Sequence, residues 1–267
     1  MVAPASAERL ELDTVEFRQW GHEEWKAFVL GEPLEGRDFA YAKLDVLLRE
    51  DRDVVHVAYA LGLAEYLLGR HLASNSWYTY ALDQPDLRER MGPVWSDEEQ
   101  ALRKESALYN NLGINYEVMQ DWVAAEEAYA RSREIDVRLG EEDAAWLTAI
   151  NIGLLRFREH QIEEARSLLR EAADHFAERG DAYNEGKALL NLAIAEQDLD
   201  PGDLSMEHAR QAFERFAVLG DSTESVRALV TAGQVSHYHG DHEAVGEVLL
   251  DLERMRPGRL APQIQYA

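Results

Sequence analysis

Residues 109–113 read YNNLG, and the same frame returns as AINIG at 149–153, LLNLA at 189–193 and LVTAG at 229–233. Asn111, Asn151, Asn191 and Thr231 form one column of this frame. Leu112, Ile152, Leu192 and Ala232 form a second, and Gly113, Gly153, Ala193 and Gly233 a third made of small residues. Outside the frame, Gly140, Gly180 and Gly220 keep the same 40-residue interval. Independent columns in phase at one period mark a repeat architecture, in which each unit is one supersecondary element. Four units follow, at about 106–140, 143–180, 183–220 and 223–257.

Within a unit the apolar period is helical. Leu147, Ile150, Leu154 and Phe157 trace one stripe, and Ile162, Ala165, Leu168, Leu169 and Ala172 trace another. His160 and Gln161 break the two, as Gln120 and Asp121 do above and Gly240 and Asp241 below. Gly180 stands where a helix end needs positive φ, and Asp181 can open the next helix. Each unit is therefore a helical hairpin. A single hairpin cannot bury both stripes, so successive hairpins must stack.

These columns resemble the tetratricopeptide repeat in its 40-residue variety. Tyr109, Leu112, Gly113, Tyr116, Ala125 and Tyr129 match the consensus positions of the first unit. The second keeps Ile152, Gly153, Ala165, Leu169 and Ala172, and the third keeps Leu192, Ala193, Ala209 and Phe213. The third also carries four extra residues in its internal turn, and the fourth matches only at Gly233, Val245 and Leu249. The resemblance implies an all-α, right-handed superhelical solenoid of antiparallel hairpins over 106–257, acting as a non-enzymatic protein–protein interaction module. Residues 53–105 read as a divergent hairpin (Val57 to Leu68, then Leu72 to Ala81) followed by an insertion containing Pro85, Gly92 and Pro93. Residues 1–52 read as capping helices, Val15–Leu30 and Arg37–Arg49, divided by Gly31 and Pro33. The tail, 258–267, follows Pro257, contains Pro262 and is expected to be loose.

Composition narrows the function. The chain has 267 residues, 46% of them apolar, with 51 acidic against 27 basic side chains and a net charge of −24. That field opposes nucleic acid and anionic lipid. There is no cysteine, hence no disulfide framework and no thiol chemistry. No apolar run reaches the length of a membrane span, and the first residues lack the order of a secretory signal, so a cytoplasmic protein is expected. Phosphate-loop, zinc-protease and serine-elbow motifs are missing. His237, His239, Asp241 and His242 cluster, but two histidines two apart on a helix point in different directions, so a polar turn is the expectation. Asp198, Asp200 and Asp203 depart from calcium-loop spacing, and Arg179-Gly180-Asp181 is accounted for as a helix stop. No cofactor, metal or catalysis is expected.

In the family, the first helix of each hairpin lines a concave groove, so the resemblance places the asparagine column there. An amide carries both a donor and an acceptor and can hold a peptide backbone whatever its side chains. Asn111, Asn151 and Asn191, with Asn110 beside the first and Thr231 continuing the column, would form a ladder. Alternatively, the asparagines are simple consensus positions whose amides meet water or neighbouring helices. Lys187, Arg227 and Arg158 fall on the same expected face and could hold acidic side chains or a free C-terminus. Their alternative is ion pairing with acids on adjacent helices. The carboxylate clamp of chaperone-binding members is only partly matched, since Asn191 and Ile114 occupy two of its positions. The expected partner is a peptide or extended protein segment, with no nucleic acid or membrane. A self-associating scaffold, a homo-oligomer joined through an apolar stripe on the last hairpin (Val245, Val248, Leu249, Leu252), is the rival.

Overall fold

The computed structural model describes residues 22–49, 55–83, 98–197 and 203–255, all built on helices, and divides into two compact units, Met1–Glu141 and Glu142–Ala267. The first holds α1 (His22–Gly31), α2 (Pro33–Arg49), α3 (Val55–Leu67), α4 (His71–Leu82), α5 (Glu98–Val118) and α6 (Trp122–Leu139). The second holds α7 (Glu142–Arg158), α8 (Ile162–Arg179), α9 (Ala182–Glu196), α10 (Asp203–Leu219), α11 (Ser222–Tyr238) and α12 (His242–Arg254). Consecutive helices pair as hairpins, and within each unit a hairpin packs on the next.

The turns are written in a few residues. Gly140, Gly180 and Gly220 end α6, α8 and α10 with φ of 72°, 70° and 72°, a conformation open to glycine because it has no Cβ. After Gly180 and Gly220 an aspartate starts the next helix. Asp181 accepts from the Asn184 N–H at 3.1 Å, and Asp221 from Thr223 and Glu224 at 3.1 and 3.0 Å. Asp121 and Asp241 do the same for α6 and α12, accepting from Ala124 and Ala244. The breaks inside the hairpins also need positive φ. Gly69 and Gly240 supply it directly, while Gln120 and His160 adopt it at 62° each.

The small-residue column has a steric cause. A Cβ on Gly113 would lie 2.4 Å from the Tyr129 ring, one on Gly62 2.3 Å from Tyr78, and one on Gly153 2.7 Å from Leu169. The first helix thus offers a notch that a large residue of the second fills, and Tyr78, Tyr129 and Leu169 are fully buried there. In the second unit, Ile150, Leu169, Phe176, Leu190, Leu192 and Phe216 continue one core from α7 to α10.

Two expectations are adjusted. Pro33 does not lie between helices: it is the first residue of α2, where a missing N–H costs nothing, and Gly31 ends α1. In the fourth repeat Val248, not Leu249, approaches Gly233, with 3.2 Å to the would-be Cβ. α12 therefore buries Ala244 and Val248 and leaves Leu249 58% exposed. Val15, the insertion with Pro85, Gly92 and Pro93, Asp198 and Asp200, and Pro257 and Pro262 lie outside the described residues.

Candidate functional site

In the unit 142–267 the first helices of the hairpins lie side by side, α7 touching α9 and α9 touching α11. Asn151 on α7 and Asn191 on α9 are half-buried, each presented by its helix between a buried core face and solvent. The side chain of Asn191 makes no hydrogen bond among the described residues. Lys187, one turn before it, is half-buried with its ammonium 5.8 Å from the Tyr183 ring centroid. Burial pushes the Lys187 pKa down, and nearby Arg227 adds to this against the opposing pull of Glu224 and Asp181. An anion placed here would oppose that fall.

The other residues of the expected site are placed differently. Arg227 is exposed, and its guanidinium bonds both carboxylate oxygens of Glu224, at 2.7 and 2.9 Å. That i,i+3 partner is visible in the sequence and balances the cation. Arg158 is exposed at the end of α7. Thr231 is buried, and its hydroxyl donates to the Arg227 carbonyl of its own helix. In the unit 1–141, Asn110 and Asn111 are half-buried on α5, and Asn111 donates its amide to the Tyr59 hydroxyl at 3.3 Å. Asn111 thus meets a neighbouring helix.

Polar groups that the repeat columns do not announce lie deeper. Asn115 is fully buried: its amide nitrogen donates to the Ser74 hydroxyl at 2.8 Å and its oxygen lies 3.0 Å from His71 Nδ1. Ser74 passes its proton to the Gly62 carbonyl at 2.7 Å, so three helices share one network. Glu196, 3% exposed at the end of α9, accepts from Arg166 and Arg170 of α8 and faces His208 of α10 at 2.7 Å. Each is satisfied within the fold, and each signal in sequence is a polar residue at an apolar column. Near 240, His239 Nε2 lies 3.2 Å from the Gln197 carbonyl and Asp241 caps α12, while His237 and His242 are exposed. Among the described residues no group of three or more acidic or histidine side chains is arranged to hold a metal ion. Nor is any helix among them long and apolar enough to cross a membrane.

Residues 104–178, which contain two of these hairpins, match the tetratricopeptide repeat family. Within that segment the chain carries tetratricopeptide-type repeats. Two solved structures share its fold. The crystal structure of BtubC (BKLC) from P. vanneervenii matches with a TM-score of 0.63 at 17% identity, over 95% of this chain and 92% of that one. The apo form of RapI matches with a TM-score of 0.63 at 11% identity, over 83% of this chain and 59% of that one. No curated protein sequence matches. Tetratricopeptide repeats generally form non-catalytic protein–protein interaction modules, and residues 104–178 carry such repeats.

Proposed function

We propose that the face of the second unit formed by α7, α9 and α11 binds an extended peptide segment of a protein partner. The observation that carries this is Asn191, an amide half-exposed on α9 with no hydrogen-bond partner among the described residues. An amide in that state offers one donor pair and one acceptor to a passing backbone. Asn151 stands at the equivalent place on α7, forty residues earlier. Lys187 supplies the charge preference. Its ammonium is partly desolvated, so a carboxylate on the ligand, from an acidic side chain or a chain terminus, gains a partner that water screens poorly. Arg158 and Arg227 flank the face, Arg227 with its charge balanced by Glu224 until a ligand competes for it. Thr231 shapes the floor, and Asn110 and Asn111 belong to the other unit. A cytoplasmic setting fits a partner presented as a flexible segment.

A displayed library of extended peptides, screened against the full chain, tests this. Peptides should be selected, enriched in Asp, Glu or a free C-terminus. Asn151→Ala with Asn191→Ala should then weaken a selected peptide about tenfold or more, with helicity unchanged. A selected peptide that binds the double variant as tightly as the parent would sink the reading.

A further inference from the structure

Helix α9 carries two residues that its stacking does not require. At the 40-residue interval of the repeat, Tyr183 corresponds to Asp143 of α7 and Thr223 of α11, so the hairpin needs no aromatic ring in that column. The ring stands edge-on to the buried Phe216 ring at 5.9 Å, which braces it, while the residue stays 42% exposed. Its hydroxyl makes no hydrogen bond among the described residues. Lys187, one turn on, places its ammonium 5.8 Å from the Tyr183 ring centroid. In a chain with 51 acidic side chains, Lys187 forms no ion pair among the described residues. The acids near it are engaged elsewhere. Glu224 holds Arg227 at 2.7 Å, and Asp181 caps α9 through the N–H and the side-chain amide of Asn184, at 3.1 and 2.7 Å. Asn191 completes the stripe, so a ring, a cation and an amide follow one another at i, i+4 and i+8.

We propose that this stripe reads two side chains of the bound segment, an acidic one on Lys187 and, two residues away, a bulky apolar one on the Tyr183 ring. This selection depends on the peptide complex inferred above and narrows its ligand. The reason is a match of periods. Side chains two apart in an extended chain point to the same side about 7 Å from one another, and positions four apart on a helix rise about 6 Å. A segment following α9 therefore presents alternate side chains to Tyr183 and Lys187 in one register, and its backbone reaches the Asn191 amide a turn further on. The braced ring offers a fixed apolar face, and a larger apolar side chain removes more of it from water. The ammonium, left without a carboxylate by its own chain, takes one from the ligand.

Peptides selected from the displayed library, resynthesised with an amidated C-terminus and titrated against the full chain, measure it. An Asp or Glu with Leu, Ile, Phe or Tyr two positions away should recur among them. Changing that apolar residue to Ala should weaken binding about tenfold in the parent and in Tyr183→Phe, and about twofold or less in Tyr183→Ala. Changing the acid to its amide should weaken binding about tenfold in the parent and in Tyr183→Ala, and hardly at all in Lys187→Met. Circular dichroism should be the same for all three variants. An apolar-to-Ala cost that persists in Tyr183→Ala overturns the proposal, because the ring then serves only to hold the ammonium. Loss of binding on amidation also overturns it, by assigning the carboxylate to a chain terminus. Peptides that depend on Asn151 and Asn191 but show no such paired preference overturn the selection and leave peptide binding standing, whereas a library that yields no peptide overturns both.

Discussion

Glycine does two opposite jobs in this chain, and substitution separates them. At Gly113 the missing Cβ makes room for the Tyr129 ring, which is fully buried and cannot retreat without opening a void. Gly113→Ala gains helix propensity of about 1 kcal/mol but forces an overlap, and a net loss of about 2 kcal/mol is expected in chemical denaturation. At His160 the roles are reversed. Its φ of 62° strains a side-chain-bearing residue at a break where Gly69 and Gly240 stand in other hairpins. His160→Gly should therefore stabilise by about 0.5–1 kcal/mol, although the unfolded chain also gains freedom. A gain at Gly113 would show that helix propensity outweighs the overlap, and a loss at His160 that side-chain contacts or the entropy of the unfolded chain outweigh the backbone strain.

Between helices, buried charges tie the hairpins together. Glu196 is shared by α8 and α10, and without its charge Arg166 keeps only the exposed Glu163 as counter-charge while the site around Glu196 stays nearly closed. Glu196→Gln is expected to cost about 3 kcal/mol, while Glu163→Gln, which removes an exposed partner of the same arginine, should cost a few tenths. Asp136 makes a related point in the α5–α6 hairpin. It accepts from the Ser106 hydroxyl at 2.5 Å, yet burial dominates and pushes its pKa up, with Glu141 adding to the rise. A raised carboxyl pKa means the unfolded state releases its proton first as pH climbs. Stability is then fully present below the ordinary aspartate range and is lost as pH rises through the folded value. Asp136→Asn keeps an acceptor for Ser106 without the charge, so its Tm relative to the parent should be higher at pH 7 than at pH 4. These two residues also show where sequence reading stops. The notch glycines, the capping aspartates and the helix-ending glycines each act within one hairpin, so spacing alone displays them. Glu196 and Asp136 look like surface acids until the neighbouring helix is in place. Leu249 matches a consensus position of the fourth repeat in sequence, but α12 seats Val248 on the notch instead. Of the expected site, Asn151, Lys187 and Asn191 are half-buried on adjacent helices. The pairing of Asn111 with Tyr59 depends on a residue 52 positions away, which no local pattern reveals.

For the whole molecule, the ledger of charge decides how it responds to salt. With 51 acidic and 27 basic side chains, even complete pairing leaves 24 carboxylates unmatched. The pairs that exist are close, such as Arg210–Glu247 at 2.6 Å and Arg215–Glu185 at 2.7 Å. Added salt acts weakly on charges in contact and strongly on charges separated by more than a Debye length, about 10 Å at 0.1 M. The contacts are mostly attractive and the distant interactions mostly repulsive, so screening removes more repulsion than attraction. The Tm should therefore rise between about 10 and 200 mM NaCl, by an amount corresponding to about 1 kcal/mol, or roughly 2–4 °C for a chain of this length. Capture of a peptide with a carboxylate should respond in the same direction, since salt screens the contact with Lys187 weakly and the repulsion between an anionic peptide and the acidic field strongly. Thermal melts and peptide titrations over the same salt series measure the two. A Tm that falls with salt would mean that the short ion pairs, rather than the unmatched carboxylates, govern the stability of the folded chain.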